Sequence, residues 1–491
     1  MSELGEQNYQ NYAEFGEQIY AWWWLPDHPE DKIPGVATFQ SGERGVVHVL
    51  GMFENLKFPA ILRSDEVPLV YGCDTKQRSW TLTNVLLAGS LFAGPLNSKC
   101  GKFYKAKLGA GRILLGAHVP TDRPSVREMV FYPSGLKEWA GSDRGIQFEH
   151  DQERDLWVSE IRSGKWREPI VAEIGEGRCL TIEYRHQQNY SYEKGLPVSH
   201  SCACRVTFET GETLETCFKI IKLFCDFISF ATRITSGIDE YFVKIDGGGD
   251  DGWARVWGLS SALRHGTENR VYGQDMRNFF TIEGVPESAG STISLWYKGT
   301  RKFGTAYSLY FAVALRSART YLEHEFLTYV QCLEGFGRKE GPTGRLMPKK
   351  EYRKIVDDKI VPFLDTLVLD TLVEKNVAEA MKDYLYMANK KTLGEILSEL
   401  LSKRGDEFTK KWIPGTDVNE WVKEVVVLRN DFVHVLDKPE AKQTFYEDGW
   451  NTIIALRLLV EAQLLEMIGF SGEKIDEILC HTSKVERRIA T

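Results

Sequence analysis

The pattern of hydrophobic and polar positions differs between the two ends of the chain. From residue 21 to about residue 245, short runs of β-branched and aromatic residues alternate with Gly, Pro, Asp and Asn, which is typical of strands and turns. Residues 69–71 and 80–82 are such runs, and the polar residues 74–78 between them fit a hairpin connection. The pattern predicts a β-rich first half.

Residues 217–232 are an exception within this β-rich part. They are apolar on nearly all sides of a helical wheel, which predicts a buried helix packed on the sheets. Lys219, Lys222 and Asp226 interrupt the stretch, and it is too short to span a bilayer. We therefore expect no association with a membrane.

From about residue 305 to the end, apolar residues recur at helical spacing. One long helical run is predicted over residues 307–333, and Pro362 is expected to kink or split the next helix. Gly and Pro mark most of the breaks between helices. The helices predicted after the first run cover residues 351–367, 377–387, 393–401, 418–436 and 450–468.

These patterns predict an α+β protein of two domains, a β-rich N-terminal domain followed by an all-α helical bundle. The predicted boundaries are residues 1–245 for the β-rich domain, 246–304 for a connecting region and 305–491 for the bundle. The connecting region contains the glycine-rich residues 247–252, whose composition is similar to that of a phosphate-binding loop. No Gly-Lys-Ser/Thr follows them, and their two aspartates would repel phosphate, so a flexible turn is predicted.

Composition narrows the class of protein. Hydrophobic residues make up 43% and charged residues 26% of the 491 positions, as in ordinary globular proteins. The net charge of −8 argues against a broadly basic nucleic-acid coat protein, but it leaves room for a local phosphate site. Nine scattered cysteines favour reduced thiols, and residues 1–18 show no secretory signal. The predicted localisation is cytoplasmic.

The strongest candidate for chemistry lies near the end of the helix predicted from residue 418. Asn430 and His434 are four residues apart and therefore neighbours on one face, and the side chain of Arg429 can swing toward the same spot. Arg binds phosphate in a fork geometry, and His transfers protons near neutral pH. The three residues suit phosphodiester cleavage, although a surface Arg and a His that caps its own helix would give the same pattern.

Three other groups of residues have weaker claims to a functional role. His200, Cys202 and Cys204 have a spacing that could bind zinc, but strand alternation more simply makes them a core face. Trp22, Trp23 and Trp24 could stack bases, although at least one should be buried. Two carboxylates inside apolar helices are expected to have hydrogen-bonded or interface roles rather than catalytic ones: Asp226 and Glu334.

Residues 305–479 resemble the Apea-like HEPN family, whose ribonuclease members carry an R-x4–6-H motif with a polar residue after the Arg. Arg429, Asn430 and His434 fit that motif. Other stretches of the helical part match the family as well: Tyr321-Leu-Glu-His-Glu-Phe, Leu333-Glu334, Thr392-Leu-Gly-Glu-Ile-Leu and Leu465-Glu-Met-Ile-Gly-Phe-Ser. At Gly337-Arg338, where the family often has a His, this chain departs from the pattern.

The first part of the chain resembles the N-terminal domain of ApeA-type anti-phage proteins. The resemblance lies in the strand pattern and in short landmarks: Trp24-Leu-Pro, Ile33-Pro-Gly-Val-Ala-Thr-Phe, Leu69-Val-Tyr-Gly, Trp80-Thr-Leu-Thr and Leu136-Lys-Glu-Trp139. Together the two resemblances cover nearly the whole chain.

The resemblance implies an endoribonuclease of anti-phage defence by abortive infection, one that needs no metal and no cofactor. His434 would act as general base or acid, Arg429 would neutralise charge on the reacting phosphate, and Asn430 would orient His434 or donate to a phosphate oxygen. The implied partners are an RNA substrate, with tRNA as one candidate, a phage-derived trigger sensed by the N-terminal domain, and a second copy of the chain.

Two alternatives remain open at this point. In the first, the HEPN bundle is catalytically inactive and only dimerises or binds RNA, while the β domain recognises a phage component. In the second, the β domain binds carbohydrate through exposed aromatic residues such as Trp22 and Trp253. The presence of both Arg429 and His434 favours the enzyme.

Overall fold

The structure is a computed structural model with two compact units. The first unit comprises residues 1–270 and 280–283, and the second comprises residues 271–279 and 284–491. The structure describes residues 17–39, 45–51, 53, 67–87, 92–93, 104–141, 146–151, 156–161, 168–188, 198–238, 241–246, 252–257, 279–314, 321–339, 347–413, 417–434 and 439–489. Most of the glycine-rich residues 247–252 lie outside these ranges.

The first unit is rich in β-structure, as its sequence pattern predicts. Its strands are β1 (Gln18–Leu25), β2 (His28–Thr38), β3 (Gly45–Leu50), β4 (Val67–Asp74), β5 (Ser79–Leu87), β6 (Phe92–Ala93), β7 (Tyr104–Leu115), β8 (Val126–Phe131), β9 (Ile146–Asp151), β10 (Leu156–Ile161), β11 (Ile170–Glu173), β12 (Arg178–Gln188), β13 (Val198–Glu212), β14 (Tyr241–Ile245) and β15 (Trp253–Trp257). Its helices are α1 (Leu136–Ala140) and α2 (Leu214–Thr232).

Among the described strands, six close into an antiparallel barrel. Their order is β7-β3-β2-β1-β4-β5, and the pairing of β5 with β7 completes the ring. The barrel interior is packed with side chains that alternate along the strands, among them Trp23, Val47, Trp80 and Ile113. Closure pairs the strand edges that would otherwise be exposed within this part of the sheet.

A second, open sheet continues from the same β7 strand. The last residues of β7 pair with β15, and β14, β8, β13, β12 and β11 follow in that order. Helix α2 packs on this sheet, with the ring of Phe224 edge-on to Phe131 of β8 at 5.8 Å between centroids. The side-chain oxygen of Thr213 caps the helix by accepting from the Thr216 amide. The predicted buried helix over residues 217–232 is therefore confirmed.

The predicted hairpin at residues 74–78 is present and is organised around one buried carboxylate. Asp74 Oδ1 accepts hydrogen bonds from the backbone amides of Lys76 and Arg78, both at 2.9 Å. Asp74 Oδ2 accepts from Arg78 Nε at 2.6 Å and from the Trp80 indole at 3.0 Å. The carboxylate thus joins the turn to the barrel core through Trp80.

These contacts also change the acidity of Asp74. Burial disfavours the charged form, but hydrogen bonds from the Arg78 backbone, the Trp80 indole and the Arg78 side chain outweigh it. The pKa of Asp74 is consequently lower than its ordinary value. A group with a lowered folded-state pKa stabilises the fold above its unfolded-state pKa, and this stabilisation is lost as the pH falls through the folded-state value.

We expect Asp74→Ala to lower the free energy of unfolding of the full chain by about 3–5 kcal/mol at pH 7, because it removes a buried carboxylate that pairs with the half-buried Arg78 guanidinium and accepts from the Trp80 indole. The difference in unfolding free energy between the variant and the wild type should begin to shrink below pH ~4, where unfolded Asp74 becomes protonated, and should vanish only below the lowered folded-state pKa of Asp74. Urea denaturation at several pH values measures both effects.

Lys76→Ala is the matched control in the same turn. The Lys76 side chain is exposed and pairs with Glu17 at 3.3 Å, so its loss should cost less than about 1 kcal/mol. Equal unfolding free energies for the two variants would contradict the role given to Asp74.

The second unit is helical, as predicted. Its helices are α3 (Ala289–Ala314), α4 (Leu322–Lys339), α5 (Lys349–Ile355), α6 (Val361–Leu369), α7 (Lys375–Met387), α8 (Leu393–Ser402), α9 (Gly405–Trp412), α10 (Val418–His434), α11 (Pro439–Met467) and α12 (Gly472–Ile489). A π-helical turn, Val356–Ile360, joins α5 to α6. A short 3-10 turn, Ile282–Gly284, precedes α3 in the chain, and its first two residues belong to the first unit.

One prediction about these helices was wrong. Residues 307–333 do not form a single helix, because α3 ends at Ala314 and α4 begins at Leu322. Tyr321, which lies within the predicted run, is non-helical and 83% exposed. Strand β15 and much of α3 fall within residues 246–304, the segment expected to connect the domains.

Within the described part of the chain, no helix is long and apolar enough to cross a membrane.

Candidate active site

Helix α10 carries the three residues predicted to perform chemistry. It begins after Asp417, whose Oδ1 accepts from the amides of Asn419 and Glu420 and so caps the helix. Arg429, Asn430 and His434 all lie in its last two turns. The backbone therefore places Asn430 and His434 one turn apart on the same face.

Helical spacing predicts an apolar stripe on α10 that includes Val425, Leu428 and Phe432. Val425 is buried as predicted, whereas Leu428 is half-buried, and Phe432 is half-buried and packs edge-to-face on Phe326 at 5.6 Å. Asp431 is 3% exposed, so a carboxyl group occupies part of the buried surface. The prediction missed this carboxyl group, because an Asp is ordinarily expected to face solvent.

Arg429 is held in place by two neighbours. Its Nη1 donates to Asn430 Oδ1 at 3.1 Å, and its Nη2 lies 3.7 Å from Glu334 Oε1 on α4. The Arg429 side chain is 31% exposed and that of Glu334 13% exposed. The guanidinium is therefore held between two helices and still faces solvent with part of its surface.

Glu334 has a second cationic neighbour one turn along α4. Arg338 Nη2 lies 3.6 Å from Glu334 Oε2, and the Arg338 side chain is 48% exposed. Sequence spacing could have found this pair, since residues four apart on a helix are neighbours. It could not have found the contact between Glu334 and Arg429, because that contact depends on how α4 packs near α10.

Two glycines determine how closely α4 approaches its neighbours. A Cβ atom added at Gly335 would lie 2.8 Å from Cβ of Ala306 on α3. One added at Gly337 would lie 2.4 Å from Cγ2 of Ile396 on α8. Both distances are too short for a side chain, so the helices pack in contact with the α4 backbone. Glu334 precedes the first of these glycines and Arg338 follows the second, so the backbone of both residues is held in position against α3 and α8.

Other buried charges of this unit have a structural role. Arg457 and Glu461 form an ion pair at 3.7 Å on α11, and Glu461 accepts a hydrogen bond of 3.0 Å from the Tyr310 hydroxyl of α3. On α4, burial raises the pKa of Glu325, and the positive charges of Arg457 and His324 oppose the rise. These groups join α3, α4 and α11 within the bundle.

The weaker candidates from the sequence have these positions in the first unit. Cys204 is buried and Cys202 is half-buried, while the side chain of His200 lies outside the described part of the structure. Burial together with the nearby Cys225 raises the pKa of the Cys204 thiol. Trp23 and Trp24 are buried, while Trp22 is 53% exposed. Asp226 is buried and forms an ion pair at 2.7 Å with Lys222 on its own helix, which is a structural role.

One group of described side chains could in principle hold a metal ion. Ligand atoms of His28, Glu30 and Asp31 lie within 4.8 Å of one another at the hairpin between β1 and β2. The three residues are exposed or half-buried, and exposed acidic groups often cluster without an ion. We assign no metal to them.

The fold and this arrangement define a class of protein in which a β-barrel-containing region precedes a helical HEPN bundle. Residues 18–273 match the family described as ApeA N-terminal domain 1, and residues 327–474 match the family described as Apea-like HEPN. The first match covers more than half of the chain, so the chain belongs to the ApeA N-terminal domain 1 family and carries an Apea-like HEPN domain. HEPN domains are typically ribonucleases.

Neither a curated protein nor a solved structure matches the sequence. The HEPN match includes α4 from residue 327 onward and the whole of α10, and thus Glu334, Arg338, Arg429 and His434.

The close packing of α4 gives a testable expectation. Ala has a higher helix propensity than Gly by about 1 kcal/mol, yet Gly337→Ala should lower the free energy of unfolding, because overpacking against Ile396 costs about 1–3 kcal/mol. Thermal unfolding of the full chain measures the change.

Gly304→Ala in α3 is the control for this variant. Apart from its chain neighbours and the backbone of its own helix, no described heavy atom lies within 4 Å of a Cβ added there, so the variant should be as stable as the wild type or more stable. If Gly337→Ala were stabilising to the same degree as Gly304→Ala, the close contact between α4 and α8 would be refuted.

Proposed function

We propose that the chain is a metal-independent HEPN endoribonuclease that acts in anti-phage defence, with Arg429, Asn430 and His434 as its catalytic residues. The observation that carries the proposal is the arrangement of these residues on one helix inside the Apea-like HEPN match. The half-exposed guanidinium of Arg429, fixed by Asn430 and Glu334, supports it further. A positioned cation is what a reacting phosphate requires.

The proposed reaction uses a nucleophile that the substrate supplies. His434 removes the proton from a ribose 2′-hydroxyl, and the 2′-oxygen attacks the adjacent phosphorus. Arg429 stabilises the extra negative charge on the phosphate oxygens as the bond to the 5′-oxygen breaks. A second histidine protonates this leaving oxygen, and the products are a 2′,3′-cyclic phosphate and a 5′-hydroxyl.

A homodimer would supply that second histidine. One R-x4-H motif contains a single titratable group near neutral pH, whereas the reaction needs both a base and an acid. We propose that two copies of the chain bring their α10 helices to one shared cleft. In this proposal the first unit senses a phage-derived trigger or restrains the nuclease.

The first test uses purified full-length protein and total bacterial RNA in the presence of EDTA. Cleavage should persist, and mapping of the ends should find 2′,3′-cyclic phosphates and 5′-hydroxyls. A strict requirement for Mg²⁺, or products with 3′-hydroxyl ends, would refute the mechanism.

His434→Ala and Arg429→Ala should each lower the rate of RNA cleavage by about 10²–10⁴-fold, since each removes a group that acts in the transition state. Lys423→Ala is the control, because Lys423 is exposed on the same helix and carries the same charge as Arg429. Circular dichroism and thermal unfolding show whether each variant is folded. A folded His434→Ala protein with full activity would exclude His434 as a catalytic residue.

The second candidate function is a binding module in which the HEPN domain is inactive and the first unit recognises a phage component. It is favoured by two aromatic side chains on the outer face of β1, Tyr20 at 56% and Trp22 at 53% exposure. The same RNA experiment separates the candidates, because a binding module would retain RNA and leave it intact.

A further inference from the structure

One carboxylate lies between two arginine side chains at the edge of the helical bundle. Glu334 Oε1 faces Arg429 Nη2 at 3.7 Å, and Glu334 Oε2 faces Arg338 Nη2 at 3.6 Å. The exposure of the side chains increases from Glu334 at 13% to Arg429 at 31% and Arg338 at 48%. The carboxylate is therefore the inner group, and the two guanidinium groups reach further toward solvent.

The two cations keep most of their hydrogen-bonding capacity. Distances of 3.6 and 3.7 Å are longer than hydrogen bonds, so the contacts with Glu334 are electrostatic and leave the N–H groups available. Arg429 donates to Asn430, while Arg338 donates to no residue in the described part of the chain. A guanidinium has five donors in a fork that matches phosphate oxygens.

The charges of the cluster formed by Glu334, Arg338 and Arg429 also favour the binding of an anion. Two positive groups flank one negative group, so the cluster carries one net positive charge in a chain whose total is −8. The carboxylate lowers the repulsion between the guanidiniums and keeps both beside one another on the same surface. Arg338 is further fixed because it follows Gly337, where α4 packs directly on Ile396.

We propose that Arg338 is a second phosphate-binding residue of the active site, and that Glu334 is the positioning residue for both arginines. Arg429 acts on the phosphate that is cleaved, and Arg338 binds a neighbouring phosphate of the same strand. The substrate class is then an RNA strand with at least two successive phosphates. This inference rests on the proposed ribonuclease function.

The test measures binding separately from cleavage. A fluorescent single-stranded RNA with 2′-O-methyl groups cannot be cleaved by 2′-hydroxyl attack, and its dissociation constant is measured by anisotropy over a series of salt concentrations. Loss of one phosphate contact should reduce the slope of log K against log salt by about 0.7. We expect Arg338→Gln to show this reduction and to weaken binding roughly three- to tenfold at low salt.

Two further variants make the result specific. Arg338→Lys keeps the positive charge and should keep the slope. Lys474→Gln removes an exposed cation of α12 that pairs with Glu477 at 2.8 Å, and it should leave both slope and affinity unchanged.

Glu334→Gln tests the positioning role. The cleavage rate of unmodified RNA should fall at least tenfold because Arg429 loses its anchor. Binding should change far less, because removal of a negative charge near the phosphates offsets the weaker positioning of Arg338. Loss of the fold would weaken binding and cleavage together, whereas a folded Glu334→Gln protein that cleaves RNA at the wild-type rate would overturn the role given to Glu334.

The outcomes distinguish this inference from the function on which it rests. A wild-type slope and affinity for Arg338→Gln, with a wild-type protein that binds and cleaves RNA, would overturn the second phosphate site and leave the ribonuclease in place. A wild-type protein that neither binds nor cleaves RNA would overturn both.

Discussion

The charged surface of the helical unit depends on how closely α4 packs against its neighbours. Gly335 and Gly337 present bare backbone to α3 and α8, and protein interiors are packed densely enough that such contacts fix a helix in position. The remaining face of α4 carries Glu334 and Arg338, one turn apart. Because close packing fixes the position of α4, the Glu334 carboxylate can hold the long and otherwise flexible side chain of Arg429 in place on α10.

The parts of the fold that follow from local signals were predictable from the sequence. The polar residues 74–78 predicted the hairpin, and the apolar residues 217–232 predicted the helix on the open sheet. The break between α3 and α4 was not predictable from the same signals. Both helices bury a face in one core, so the apolar spacing continues from one helix to the next. Such spacing shows which residues are buried, but it does not show whether they belong to a single helix. Closure of the barrel by β5 and β7 depends on pairing between distant segments, which no local pattern encodes.

The candidate site likewise has one part that the sequence predicts and another that depends on the packing of distant segments. The spacing of Asn430 and His434 places them on one face of any helix that contains both, and the sequence therefore predicts this part. The position of Glu334 beside Arg429 depends on packing between two helices that are far apart in the chain. The burial of Asp431 depends on packing as well, since its residue type alone predicts exposure.

Strand β7 belongs to the barrel and to the open sheet at once. It pairs with β5 and β3 within the barrel, and its last residues pair with β15. Unfolding of β7 would therefore remove a strand from the barrel and a pairing partner of β15 from the open sheet. The two sheets should consequently open as one cooperative unit, with amide hydrogens in both exchanging through the same event. A distortion introduced at the barrel would therefore be transmitted to the open sheet and the helix that covers it.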